Sequence, residues 1–312
     1  METFIHSLES VAIVFLLTAL GYFCAARGWM TANAKKFINQ FLTHVGIPVM
    51  CVYELSTRLD RAQVLASLPL LAACFLTLFS TLILAALTDR FFLHVERTRK
   101  GIFLMMCSTT NSLFIGLAMC TQIYGDSCIP IVMVFYMADT FMIQLVCQPL
   151  VRKYGSLQNG KKLSILSILK MPTVIGVLCG FTAVLINLKL PYVLSQTAMY
   201  VVRTNTPLAL LLTGYIIYDT GLKNLRIDKD QLCVILFRFV VCPAVGIGMT
   251  ALFGIGGLSR SVVTLEAAMP VLSMSVVYAS AFGADEKFAA QGAAITTLLS
   301  FLAVPALVLL LG

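Results

Sequence analysis

The chain has 312 residues, is 59% hydrophobic and only 12% charged, and has a mean hydropathy of +0.94. A soluble globular domain carries about 25% charged residues, so this composition excludes an ordinary soluble enzyme or binding module and points to a membrane protein. The net charge of +8 suggests an anionic partner, but its placement along the chain has a simpler cause in membrane topology, and nothing points to nucleic acid.

A hydrocarbon core about 30 Å thick takes about 20 apolar residues per helix. Apolar windows of that length predict an all-α membrane protein with ten transmembrane helices, at 5–26, 34–55, 66–87, 101–120, 127–150, 171–188, 192–217, 230–253, 261–282 and 287–311. The first window does not read as a cleaved signal peptide, because Glu9 interrupts it and the positive charges, Arg27 and Lys35, come after it. Sixteen Lys and Arg, among them Lys35, Arg99, Lys100, Lys153 and Lys287, fall in one set of loops. Only Arg58, Arg61, Lys189 and Arg260 fall in the opposite set. On the positive-inside rule both termini lie outside a plasma (inner) membrane and the 151–170 linker lies in the cytoplasm.

The second half echoes the first at an offset of 158–159 residues: Gly21 answers to Gly180, Pro48 to Pro207, and Tyr124-Gly125-Asp126 to Phe282-Gly283-Ala284-Asp285. Residues 1–150 therefore read as one five-helix repeat and 171–312 as a second. Five is odd, so the two copies must insert upside down relative to each other. An inverted repeat whose copies are interrupted at matching depth is the signature of a secondary transporter.

Taken in chain order, the polar residues inside the spans carry the functional expectation. His44 in span two reads as a hydrogen-bonded packing residue. Span four contains Ser108-Thr109-Thr110-Asn111-Ser112, and five consecutive polar residues cover every face of a helix at 100° per step. Either they mediate helix packing, or the helix unwinds there and frees backbone groups for a ligand, which is tolerated only beside protein or water. Asp139 lies mid-span in span five. In span seven, Asn205-Thr206-Pro207 echoes Gly46-Ile47-Pro48 of span two and is expected to line a cavity, with Arg203 close by.

Arg238 lies within span eight. In span nine, Glu266 precedes Met269-Pro270 and Ser273, and the proline must kink or break the helix. Aligned through Gly125 and Gly283, Asn111-Ser112 falls on Met269-Pro270, so spans four and nine are expected to cross where each is interrupted. Two half-helix N-termini, each with roughly half a positive charge, would then favour an anion such as a carboxylate. A charge at the bilayer centre costs about 2.5–3.5 kcal/mol, so Asp139 and Glu266 either pair internally, Asp139 with Arg238, or act as proton or cation sites. The ten cysteines are scattered singly and read as packing residues, and no pattern of metal ligands, cofactor loop or catalytic nucleophile is present.

The chain resembles the auxin efflux carrier family, which includes plant auxin exporters and bacterial carriers of malate, malonate and related acids. The resemblance rests on Gly21-Tyr22, Pro48, Asn111 through Leu117, Tyr124-Gly125-Asp126, Met171-Pro172, Arg238 with Pro243, and Ala268-Met269-Pro270. It implies a scaffold of spans 1, 2, 6 and 7 and a moving domain of spans 3–5 and 8–10, and it favours a homodimer. Ser112 stands where many relatives have a proline in span four, and the long loop of many plant carriers is replaced by about twenty residues, as in the short bacterial type. The expectation is a secondary active transporter of a small organic anion working by alternating access. Thr109, Thr110, Asn111, Ser112, Met269, Pro270, Ser273, Asn205 and Arg238 are the candidate substrate residues, and Asp139 or Glu266 the candidate ion-coupling residue. The alternatives are a sodium-coupled carrier of bile-acid type and, more remotely, a membrane receptor.

Overall fold

Long runs of Leu, Ala, Val, Ile and Phe with few turn residues favour helices, and helices are what the chain forms. The computed structural model describes residues 2–58, 67–157, 172–186, 188, 190–221 and 225–311. Most of the expected linker, 158–170, and the charges Arg61, Lys189 and Lys223 lie outside the described residues. The described helices are α1 (Glu2–Ala26), α2 (32–58), α3 (Leu68–Leu93), α4a (Arg97–Ser108), α4b (Ser112–Tyr124) and α5 (Asp126–Tyr154). They continue as α6 (Pro172–Leu185), α7 (Tyr192–Thr220), α8 (Lys229–Leu252), α9a (Gly257–Ala267), α9b (Ser275–Phe282) and α10 (Glu286–Leu311). Each coincides with an apolar window, and the fourth and ninth windows are split in two.

Among the described residues, α3, α5, α8 and α10 are long and apolar enough by themselves to cross a membrane. The outer surface agrees with a lipid environment. Phe92, Leu302 and Leu310 are 80%, 76% and 82% exposed, and many other large apolar side chains face outward with them. A soluble monomer rarely exposes so much contiguous apolar surface. The ten cysteines are all free and seven of them are buried, as small packing residues would be.

Two packed regions follow from the helix pairings. α1 runs along α7, and α6 along α2. The first pair can approach so closely because Gly21 lies on the backbone of Leu211 and Gly214 on that of Thr18, where any Cβ would collide. One buried core joins Leu42, Met50, Ile115, Met119, Leu210 and Val304. A second joins Leu78, Phe103, Met105, Phe135, Phe237 and Phe288 from α3, α4a, α5, α8 and α10.

Both half-helices that follow a break end at a glycine of positive φ. α4b stops at Gly125 (φ 70°, ψ −173°) and α9b at Gly283 (φ 66°, ψ 37°, left-handed helical), regions that glycine enters without a Cβ penalty. Among the described residues, five π-turns occur in the helices, at Leu42–Gly46, Asp89–Leu93, Ser112–Gly116, Ile143–Cys147 and Phe237–Val241. Such turns re-aim side chains and recur at functional sites. Three of the five bear on the break: one opens α4b, one carries Arg238, and one follows Asp139 by a turn.

Candidate functional site

The interruptions of the fourth and ninth helices meet face to face. α4a ends at Ser108, and Thr109 is extended at φ −111°, ψ 157°. Thr110 forms an isolated antiparallel bridge with Val271, the only strand-like pairing among the described residues. The Asn111 N–H donates to the Pro270 carbonyl at 2.9 Å. Pro270 has no N–H of its own, so the ninth helix cannot continue through it, and its carbonyl is free to accept from the other break. Asn111 Nδ2 donates to Ser273 Oγ at 3.0 Å, a second tie between the breaks. The Val271 N–H is taken by Thr296 Oγ1 of α10 at 3.1 Å.

Breaking a helix leaves carbonyls without partners at one end and N–H groups without partners at the other. Arg238 serves the carbonyl ends. Its fully buried guanidinium donates from Nε to Met269 O at 3.0 Å, from Nη1 to Thr109 O at 2.9 Å, and from Nη2 to Ala267 O. A rigid five-donor fork suits such a convergence better than an ammonium would. Its charge also opposes the negative dipole ends of α4a and α9a.

The N–H ends stay open. Asn111 O accepts from Ile115 and Gly116, so the N–H groups of Ser112, Leu113 and Phe114 have no preceding carbonyl in helical register. In α9b the first helical bond is Tyr278 N–H to Met274 O at 3.0 Å, which leaves Val276 and Val277 at the open end. The crossing is therefore electrically sorted. Among the described residues a cation covers its negative ends, while Ser112, Leu113, Phe114, Val276 and Val277 leave N–H groups open at its positive ends; the Ser275 N–H is taken by Leu272 O at 3.0 Å.

Two cavities adjoin it. The larger, about 740 Å³, lies between α2 and α7 on one wall and α9b and α10 on the other, and reaches Ser273 and Phe114 at the crossing. Lys35, Asp219, Glu286 and Lys287 also line it, and Lys35 Nζ pairs with Asp219 at 3.0 Å. The smaller, about 100 Å³, is lined by Thr110, Asn111, Asp139, Gln144 and Tyr278 among others. Phe114 and Met274 belong to both walls.

The expected site residues separate into three groups. Asn111, Ser112, Thr110 and Ser273 stand at the crossing and on cavity walls. Thr109, Met269 and Pro270 are buried there and contribute main-chain carbonyls, while the Thr109 hydroxyl returns to Met105 O at 2.9 Å. Arg238 lines neither cavity, since its donors are directed to carbonyls. Asn205 lies elsewhere: its Nδ2 donates to Gly46 O at 2.8 Å, tying α7 to the π-turn of α2, and it lines neither cavity.

Of the two acidic candidates, Asp139 is on the small cavity wall and accepts from the Thr110 N–H at 3.3 Å. No direct ion pair joins it to Arg238. Glu266 is fully buried against Gly116, where any Cβ would fall on its carboxylate, and accepts from Cys120 Sγ at 3.3 Å. Gln144, Tyr278, Asp219 and Glu286 are among the cavity residues that sequence reasoning did not single out. For Gln144 the available signal was a polar amide buried in span five, 7% exposed in the fold.

The model of the family described as membrane transport protein matches residues 6–159 and 156–308. A protein of Methanocaldococcus jannaschii described as uncharacterized transporter MJ1031 is 24% identical over 301 residues, 95% of this chain and 96% of its own.

Proposed function

We propose, since the chain belongs to the membrane transport protein family, the auxin efflux carrier family that its sequence resembles, that this membrane transporter is a secondary carrier of a small organic anion. The single observation that carries the reading is the sorted crossing. Bare N–H groups of α4b and α9b converge beside Asn111 and Ser273, while Arg238 occupies the carbonyl ends. A carboxylate fits such a place because it accepts several N–H bonds at once and complements two positive dipole ends. Asn111 Nδ2 and the Ser273 hydroxyl would add side-chain contacts, with Thr110 and Ser112 beside them. Arg238 would act through position, holding the two breaks together.

Alternating access is supported by where the larger cavity lies. It separates α2 and α7, which pack with α1 and α6, from α9b and α10. On this reading α1, α2, α6 and α7 form a scaffold, dimeric with a second copy, and α3–α5 with α8–α10 form the moving domain. The ten helical tracts then cross the plasma membrane as two inverted five-helix repeats, 1–150 and 171–312, with both termini outside. Lys35 and Lys287, from the Lys- and Arg-rich set of loops, line the large cavity, so it opens to the cytoplasm.

Uptake of radiolabelled mono- and dicarboxylates into proteoliposomes tests the reading. The expected result is saturable uptake of at least one such acid that Asn111→Ala weakens. Wild-type uptake in Asn111→Ala would overturn the assignment of the crossing, and no uptake of any carboxylate would overturn the substrate class.

A further inference from the structure

The smaller cavity has a different chemistry from the crossing beside it. Asp139, 1% exposed, brings a carboxylate to its wall, and none of the described residues lining it is Lys, Arg or His. Two further oxygens on that wall are buried without a hydrogen-bond partner among the described residues, Thr110 Oγ1 and Gln144 Oε1. Thr110 is 1% exposed and Gln144 7%, so bulk water does not serve either. Gln144 Nε2 already donates to the Tyr278 hydroxyl at 3.3 Å, which turns its carbonyl end away from that bond.

Arg238 acts on this carboxylate through charge at a distance but makes no ion pair or hydrogen bond with it, its Nε, Nη1 and Nη2 being bonded to the carbonyls of Met269, Thr109 and Ala267. A cavity of about 100 Å³ has room for an ion together with water. Buried acceptors without donors are costly to leave alone. An organic anion would add to the problem, since it brings more negative charge and more acceptors.

We propose that the cavity enclosed by Asp139, Thr110 and Gln144 binds a sodium ion. The donor set is hard oxygen throughout: one carboxylate, one hydroxyl and one amide carbonyl. A single carboxylate matches a single positive charge, whereas divalent cations are ordinarily held by more carboxylates or at fuller oxygen cages. A proton on Asp139 would supply one donor and leave the second unpartnered oxygen as it is.

The site rests on the transporter reading for its purpose, which is coupling. Thr110 and Asn111 are adjacent in the chain. An ion held by the Thr110 hydroxyl therefore steadies the backbone that presents Asn111 to Ser273 and opens the N–H groups of α4b. Sodium and organic anion should consequently raise each other's affinity by the same factor.

The test uses the full chain in detergent, melted in sodium chloride or in choline chloride at equal ionic strength. The expected result is a saturable sodium-dependent rise in melting temperature that Asp139→Asn abolishes. Thr110→Val, which keeps the shape and the backbone, should raise the half-saturating sodium concentration by roughly five- to a hundredfold. Unaltered melting of both variants in choline shows that they are folded.

No sodium-dependent rise in the wild-type protein overturns the site, and so does a rise that survives both substitutions unchanged. A shift that follows pH and ignores sodium also overturns it, by putting a proton on Asp139. Malate or malonate uptake in proteoliposomes keeps the two proposals apart. Uptake indifferent to sodium removes the ion site and leaves the carrier, while sodium-dependent melting without uptake of any carboxylate leaves the site and removes the carrier.

Discussion

Asn111 and Arg238 sit at the same crossing and do opposite work. Asn111 faces Ser273 and the bare N–H ends, so its loss removes a polar partner in a desolvated place, which costs about 1–3 kcal/mol. At 1.4 kcal/mol per decade, Asn111→Ala should weaken carboxylate binding by roughly five- to a hundredfold, and loss of its bond to Ser273 should lower the melting temperature of the empty protein only modestly. Equilibrium binding of the transported acid, beside a melting curve of the empty protein, checks both halves. Arg238→Gln should do the reverse and act first on stability. It leaves carbonyls at Ala267, Met269 and Thr109 short of a donor in a fully buried setting. Breaking such a buried charged network costs about 3–5 kcal/mol. Arg238→Lys keeps the charge and loses the fork, so its loss of stability should be smaller. Melting of Arg238→Gln at the wild-type temperature would show that the breaks do not depend on that cap.

At the scale of elements, the helices are held in place by contacts between backbones as much as by side chains. α1 and α7 touch at Gly21 and Gly214, where a Cβ would meet the main chain of Leu211 and Thr18. Gly21→Ala should therefore push the pair apart at a cost of about 1–3 kcal/mol, read as a lowered melting temperature in detergent. Gly248→Ala in α8 is the control, because nothing lies within 4 Å of its added methyl. Equal melting of the two variants would contradict this packing. A related constraint holds α4b against α9a, where Gly116 makes room for the Glu266 carboxylate. Gly116→Ala must displace that carboxylate from Cys120, so it should lower stability and impair transport together, checked by melting and uptake on one preparation.

At the scale of the molecule, the proposed carrier reading makes the larger cavity an access route open to the cytoplasmic side only. Ser280 lines it and is exposed. In a cysteine-free background, Ser280→Cys should react with a membrane-impermeant thiol reagent in inside-out vesicles and resist it in right-side-out ones. Labelling with the opposite sidedness would reverse the proposed orientation. The ligand should change the rate as well, because a carrier that closes around its substrate shields this wall. One residue ties the α4a, α8 and α10 ends of the proposed moving domain. Arg99 reaches Asp228 and Asp285 at 2.7 Å and Asp230 at 3.4 Å, which joins α4a to the starts of α8 and α10. Such a node suits a group of helices that travels as one piece.

The positions of the helices and of their interruptions are legible in the chain itself. Apolar windows, Pro270 and the run Ser108 to Ser112 carry that information locally, because a polar or proline-bearing stretch at membrane depth must leave the helix or find partners. The offset that sets Asn111-Ser112 against Met269-Pro270 is likewise visible in the chain, and in the fold the Asn111 N–H meets the Pro270 carbonyl. Which end of each break a charged side chain serves depends instead on contacts between distant segments. Arg238 reaches Thr109 across 129 residues, and Asn205 reaches Gly46 across 159. Neither choice has a local signal. An arginine inside a span reads equally well as an anion ligand or as a cap for broken helix ends, and an asparagine beside a proline as cavity lining or as a helix tie. The rotation of one helix against another settles such alternatives. That rotation follows from packing between distant segments, as at Gly21 on Leu211, which no single window of sequence contains.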